Sequence, residues 1–268
     1  MRKRRFLRKI SFDKWKKLCY TTAHPPKKEK EMKKSTAKLT TYCISAPVSP
    51  FTIALVTDLH NGKVENLKEL LAEVKPDLIA ISGDLYEGPP RKEAFDFLNV
   101  EQVLRLCGET APTFYAPGNH DKTLHETVKH WLSAYGITYL SDDAVLWKDI
   151  WIGGLSSAYY QKDSTPNLPF ALSFSQKQGY KILICHHPEY YRRYLKHLPI
   201  DLILSGHNHG GQWALGGRGL YVPGQGLFPP HTSGVVDGRL VVSRGIYNNV
   251  IVPRIGTPTE LVVVCVGE

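Results

Sequence analysis

The feature that most constrains this chain is a series of short apolar runs, each ending on histidine, aspartate or asparagine. Phe51 to Thr57 (FTIALVT) leads into Asp58-Leu59-His60-Asn61-Gly62, and Asp77 to Ser82 leads into Gly83-Asp84. Thr113 to Ala116 runs into Gly118-Asn119-His120-Asp121, Lys181 to Cys185 into His186-His187-Pro188, and Asp201 to Ser205 into Gly206-His207-Asn208-His209. Short continuous apolar runs bounded by turn residues read as strands buried on both faces. Segments of helical period lie between them: Val64 to Val74 places apolar residues at Val64, Leu67, Leu70 and Leu71, and further helices are expected over Glu93 to Leu106, Leu124 to Tyr135 and, briefly, Glu189 to His197. Strands are also expected at Thr138 to Leu140 and Ile150 to Gly153. After Gly210 the chain is rich in Gly and Pro, with β-branched runs at Val235-Val236, Leu240 to Ser243 and Leu261 to Val266. Strands alternating with helices, then a β-rich tail, indicate an α/β layered domain with mixed sheets.

In open α/β sheets, ligand sites form at the carboxyl ends of the strands, which is where these polar residues collect. Carboxylate oxygen and imidazole nitrogen hold hard and borderline divalent cations, and two such ions about 3.5–4 Å apart clamp both oxygens of a phosphoryl transfer. In Asp58-x-His60 and His207-x-His209, residues two apart on an extended segment point to the same side and can grip one ion together. A glycine before Asp84, Asn119 and His207 permits a sharp turn or a close backbone approach. Taken singly, an aspartate after a strand is a turn or cap residue and a buried histidine a satisfied core group. Five strand ends carrying such residues together mark a metal or catalytic site.

Asp58-x-His60, Gly83-Asp84, Gly118-Asn119-His120-Asp121, His186 and Gly206-His207-x-His209 together resemble the signature of the calcineurin-like metallophosphoesterases, over about residues 51–266. Ser205 to Gln212 (SGHNHGGQ), Val242 to Gly245 (VSRG) and Pro253 to Glu260 (PRIGTPTE) are similar to a bacterial branch that is often membrane-associated. The resemblance implies a four-layer αββα sandwich of two mixed β-sheets flanked by helices. It implies two divalent ions, manganese by family, with iron, zinc and cobalt equally suited to mixed nitrogen and oxygen ligation. Asp58, His60 and His209 would bind one ion, Asn119, His186 and His207 the other, and Asp84 would bridge them. His120 would serve the leaving group as general acid or phosphate stabiliser, with Asp121 orienting its ring and a metal-bound hydroxide attacking. His187, Arg254 and His231 are neighbours to place: His187 in support of a ligand or facing substrate, Arg254 on the rim, and His231 on the rim or in a surface loop.

Charge separates the chain into two parts. Residues 1–38 hold 15 Lys or Arg against three acids, whereas residues 39–268 hold 19 against 22. The catalytic part is thus slightly acidic, which disfavours nucleic acid as a partner. Residues 1–48 are expected to form a basic arm, amphipathic or disordered, ahead of a phosphoesterase domain at 49–268. Phe6, Leu7, Ile10, Trp15 and Leu18 lie along one face of a helix among Arg4, Arg5, Arg8, Lys9, Lys14, Lys16 and Lys17, which suits an anionic membrane surface. His24-Pro25-Pro26 stops any helix, and a solvated arm is the plain alternative. Five scattered cysteines without a CxxC pair argue against a disulfide framework, and no run is long enough to span a membrane or forms a signal peptide. The expected location is cytoplasmic, peripheral to the inner membrane face. The expected substrate carries a phosphodiester or pyrophosphate bond, on a small molecule or a lipid-linked compound such as UDP-diacylglucosamine. A metal-binding scaffold held at the membrane by the arm is the alternative from another class.

Overall fold

A computed structural model describes residues 34–87, 97–121, 123–157, 165–216, 218–222, 226–248 and 254–268. They belong to one compact unit, Lys33–Glu268. The expected arm helix, and residues 93–96 of the helix expected from Glu93, lie outside the described residues.

The strands of the two main sheets are, in chain order, β1 (Lys38–Ile44), β2 (Phe51–Val56), β3 (Leu78–Ser82), β4 (Thr113–Ala116) and β5 (Thr138–Tyr139). There follow β6 (Asp143–Trp147), β7 (Ile150–Leu155), β8 (Tyr180–Cys185), β9 (Leu202–Ser205), β10 (Gly234–Val236), β11 (Leu240–Val242) and β12 (Glu260–Val266). The helices are α1 (Leu67–Val74), α2 (Leu98–Thr110), α3 (Glu126–Ala134) and α4 (Leu168–Ser175), with one π turn at Tyr191–Leu195 in place of the expected short helix. One sheet runs β1-β12-β2-β3-β4-β5 and the other β10-β11-β9-β8-β7-β6. In the first, only β12 and β2 pair antiparallel; in the second, the antiparallel pairs are β10 with β11 and β6 with β7.

Side chains two apart share a face of a strand, and each sheet uses both faces. Ile53 and Leu55 of β2 meet Ile182 and Ile184 of β8 in the layer between the sheets. Their neighbours Ala54 and Val56 pack against Leu67 and Leu71 of α1 and Val100 and Leu104 of α2. Leu183 and Cys185 pack outward against Ala171 and Phe174 of α4 and Tyr190 and Leu195. The result is the four-layer αββα arrangement, and burial on both sides is why these strands read as unbroken apolar runs.

The structure moves one expected boundary. Residues 38–44, assigned from the sequence to the arm at 1–48, form β1, which pairs in parallel with β12 from Lys38↔Glu260 to Ile44↔Val266. This is an edge strand, exposed at alternate positions, so its sequence (KLTTYCI) lacks the apolar density of the inner strands. For the same reason β6, the opposite edge of the second sheet, is not apparent in the sequence. Helix α4 (LPFALSFS) carries apolar residues nearly all round and therefore gives no amphipathic period.

Candidate metal centre

The carboxyl ends of β2, β3 and β4 in one sheet and of β8 and β9 in the other meet along one edge. Backbone and side-chain hydrogen bonds join them: Ser82 Oγ donates to Leu204 O at 3.2 Å, Gly206 N donates to His186 O at 3.1 Å, and His186 Nδ1 donates to Ser82 O at 2.7 Å. Past these ends the chain must turn sharply. Asp58, His60, Asp84, His207 and His209 all lie at positive φ, between 48° and 70°. Left-handed backbone at non-glycine residues costs roughly 1–3 kcal/mol each and persists where the surroundings impose it. Asp58 and His60 thus converge through left-handed turns, not through the extended alternation expected from the sequence.

Among the described residues, four overlapping groups of side chains could hold a cation, and two of them consist wholly of expected ligands. Ligand atoms of Asp58, His60 and His209 lie within 4.8 Å of one another, as do those of Asp84, His186 and His207. Within the first group, His60 Nε2 is 3.3 Å from His209 Nε2, and His209 Nε2 is 3.4 Å from Asp58 Oδ1. Asp84 faces both groups, with Oδ2 at 3.0 Å from His186 Nε2 and 3.8 Å from His60 Nε2. Backbone and hydroxyl donors hold the two carboxylates: Asp58 accepts from His207 N at 3.2 Å and from Thr57 Oγ1 at 2.8 Å, and Asp84 Oδ1 accepts from His120 N at 2.9 Å. Gly118 is packed so tightly on Asp84 that a Cβ there would collide with its carboxylate, and a Cβ at Gly206 would collide with Thr57 Oγ1.

Two buried atoms show that this donor set suits cations. Among the described residues, Asn119 Oδ1 and His186 Nε2 have no hydrogen-bond partner. Because His186 Nδ1 faces a carbonyl, it must carry the ring proton, so neutral His186 presents a lone pair at Nε2 to the oxygen of Asp84. Only a proton or a cation between them satisfies both. Oxygen and nitrogen donors without thiolate match hard to borderline divalent ions.

The electrostatics follow from burial and crowding. Burial would raise Asp58 and Asp84, yet histidines (chiefly His209 beside Asp58 and His186 beside Asp84) hold both well below the usual carboxylate range. Burial opposes charge on His60 and His186, but Asp58 and Glu87 carry His60 up to about 10 and Asp84 carries His186 up to about 9. Burial depresses His207, and it drives His209 down to about 3.

The structure corrects one expected role and adds a residue. Asp121 does not reach the His120 ring: its buried carboxylate accepts from Gly118 N at 2.5 Å, Leu85 N at 2.7 Å and the Tyr115 hydroxyl. It fixes the backbone of the loop that carries Asn119 and His120. The carboxylate on the ring is Glu87, whose oxygens lie 2.6 Å from His120 Nδ1 and 2.8 Å from His60 Nδ1. Burial would lower the His120 pKa, but Glu87 and Asp84 raise it. The sequence sign of Glu87 is an acid three residues beyond Asp84, which has no meaning until the loop folds back over both histidines.

The remaining candidates also find places. The His187 ring packs at a tilt against the His207 ring, centroids 4.2 Å apart, and is anchored through Nε2 to Ser157 Oγ at 2.6 Å and through Nδ1 to Glu189 at 3.0 Å. Glu189, expected from the sequence only as the start of a short helix, also lies 3.6 Å from His207 Nε2. Arg254 is not on an open rim: it donates to Arg244 O at 2.6 Å and Tyr247 O at 2.7 Å, and Nη2 is 2.8 Å from His209 Nδ1. His231 offers its backbone carbonyl to Asn208 Nδ2 at 3.0 Å.

Comparison with known proteins agrees with this geometry. Residues 51–211 match the family model described as calcineurin-like phosphoesterase. A Bacillus subtilis protein, YpbG, is 29% identical over 230 residues, covering 82% of this chain and 83% of that protein. The Escherichia coli protein named phosphodiesterase YaeI is 29% identical over 188 residues, 61% of this chain and 62% of that one. A putative metallophosphoesterase of Caenorhabditis elegans, F40B5.2, is 32% identical over 184 residues, 60% of this chain and 37% of that protein. This chain therefore spans less than two thirds of the latter two relatives. With the matched region running from β2 through the His207-x-His209 loop, and every strand end of the site inside it, the chain belongs to the calcineurin-like phosphoesterase family and is a metal-dependent phosphoesterase.

Proposed function

We propose that this protein hydrolyses phosphodiester or pyrophosphate bonds with two divalent ions, manganese first among Mn, Fe, Zn and Co. Asp58, His60 and His209 would hold one ion, Asn119, His186 and His207 the other, and Asp84 would be shared. The observation that carries this reading is Asp84 Oδ2, which faces His186 Nε2 at 3.0 Å and His60 Nε2 at 3.8 Å, one from each group. Bound there, the ions supply positive charge to the phosphoryl oxygens and acidify water.

The chain's own residues supply the rest. His120 is 40% exposed, with Nε2 4.0 Å from Asp84 Oδ2, at the open side of the site where a leaving oxygen can receive its proton. Glu87 holds Nδ1 and so fixes the ring and its tautomer. Glu87→Gln is expected to lower kcat by about 10- to 100-fold with metal content retained. Removing the carboxylate that raises His120 also lets the ring lose its proton at lower pH, so the alkaline limb of the rate profile shifts toward acid. An unmoved limb would leave Glu87 with no part in setting His120.

The similarity to a protein named phosphodiesterase supports diester chemistry. The basic, amphipathic pattern of residues 1–38 supports a lipid-linked pyrophosphate such as UDP-diacylglucosamine, met at the inner membrane face. Hydrolysis of bis(p-nitrophenyl) phosphate and p-nitrophenyl phosphate, side by side after loading with each metal and with a chelator control, tests the first statement. Chelator-sensitive preference for the diester is expected; preference for the monoester overturns it. Turnover of UDP-diacylglucosamine tests the second, and no turnover by enzyme active on the diester removes that substrate.

A further inference from the structure

Among the described residues, six of the eleven exposed large hydrophobic side chains fall in one place: Trp213, Leu215, Tyr221, Leu227, Phe228 and Ile255. Leu215 is 76% exposed, and Leu227 and Phe228 are each 73% exposed. They are held by a small ribbon beyond the last ligand. Ala214 pairs with Gly219, Tyr221 pairs with Leu227, and Trp213 bridges to Ile255. Leu220 N donates to Trp213 O at 2.6 Å and Phe228 N to Leu220 O at 2.9 Å. The segments carrying Phe228, Leu220, Trp213 and Ile255 therefore lie abreast, and their apolar side chains form a lobe that water alone would not favour.

The lobe adjoins the metal centre at both of its roots. Gln212 begins the ribbon three residues after His209, and Arg254, next to Ile255, lies against His209 Nδ1. The chain enters the folded unit beside the same stretch: Lys38 N donates to Thr259 O at 2.9 Å, and Thr259 Oγ1 donates to Thr36 O at 3.1 Å. Immediately before that entry stands the segment with 15 Lys or Arg against three acids in residues 1–38. An apolar wedge and a basic segment carried by one chain are the two signals that together hold a protein on an anionic bilayer, where either alone binds weakly.

We propose that Trp213, Leu215, Tyr221, Leu227, Phe228 and Ile255 form a membrane-insertion face that docks on an anionic lipid surface and brings the metal centre to it. This deepens the reading of a lipid-linked substrate, but the test reads binding and not turnover, so either can fail without the other. Flotation of the full chain with phosphatidylcholine vesicles containing phosphatidylglycerol is compared between wild type and L215S/F228S. Both side chains already stand in water, so the thermal midpoint should not move. The partition into vesicles should fall at least about 10-fold, since the apolar area inserted at the interface sets binding strength. W213S, on the neighbouring segment, gives the same reading should the double variant fail to fold. Wild type that does not float, or variants that float equally well, would overturn the proposal. A wild-type dimer that L215S/F228S splits with no change in partition would also overturn it, and would assign the face to a second copy of the chain.

Discussion

Asp84→Ala should eliminate phosphoesterase activity and strip the protein of bound metal, the largest effect expected from any single substitution. Asp84 is fully enclosed, faces histidines of both ligand groups, and fixes the loop after β4 through His120 N. Removing it takes away negative charge that would offset the bound cation and leaves His186 Nε2 without its facing oxygen. The loss of several kcal/mol of transition-state stabilisation corresponds to roughly 1,000-fold or more in rate. Elemental analysis beside bis(p-nitrophenyl) phosphate turnover measures both consequences. A variant that kept full metal content with reduced rate would show that Asp84 is not shared between the groups.

His120→Ala separates rate from metal. The ring stands beside Asp84 and belongs to neither the Asp58-His60-His209 nor the Asp84-His186-His207 group, so the variant should retain its metals while losing about 100- to 10,000-fold in kcat, the range of general acid catalysis. The loss should be smallest on substrates with good leaving groups, which need little protonation, and largest on alkyl esters. Loss of metal from His120→Ala, or equal loss on both kinds of ester, would remove it from the role of acid.

How much of this was legible before the fold was known depends on the kind of signal. The inner strands announce themselves because burial on both faces demands unbroken apolar runs, and Asp58, Asp84, Asn119, His186 and His207 each stand just past such a run. That made the convergence of Asp58, Asp84, His186 and His207 legible. The edge strands β1 and β6 are half exposed and carry mixed sequences, so the start of the folded unit was placed too late. Asp121 and Glu87 illustrate a different limit. Both are acids in or within three residues of the motif, and the family resemblance assigned Asp121 to the His120 ring. The tight loop closed by Gly118 N and Leu85 N consumes the Asp121 carboxylate, and the loop after Asp84 delivers Glu87 instead. Sequence distance cannot rank two acids whose loops fold toward and away from the same ring.

Each ligand group draws from both sheets. Asp58 and His60 follow β2 in one sheet whereas His209 follows β9 in the other, and Asp84 follows β3 whereas His186 and His207 follow β8 and β9. A cation seated in either group is therefore a crosslink between the two halves of the sandwich, and its binding free energy resists their separation. Chelation should then lower the melting temperature cooperatively across the whole unit instead of loosening one loop, and protein quality control would meet the metal-starved enzyme as a less durable fold, not only as an idle one.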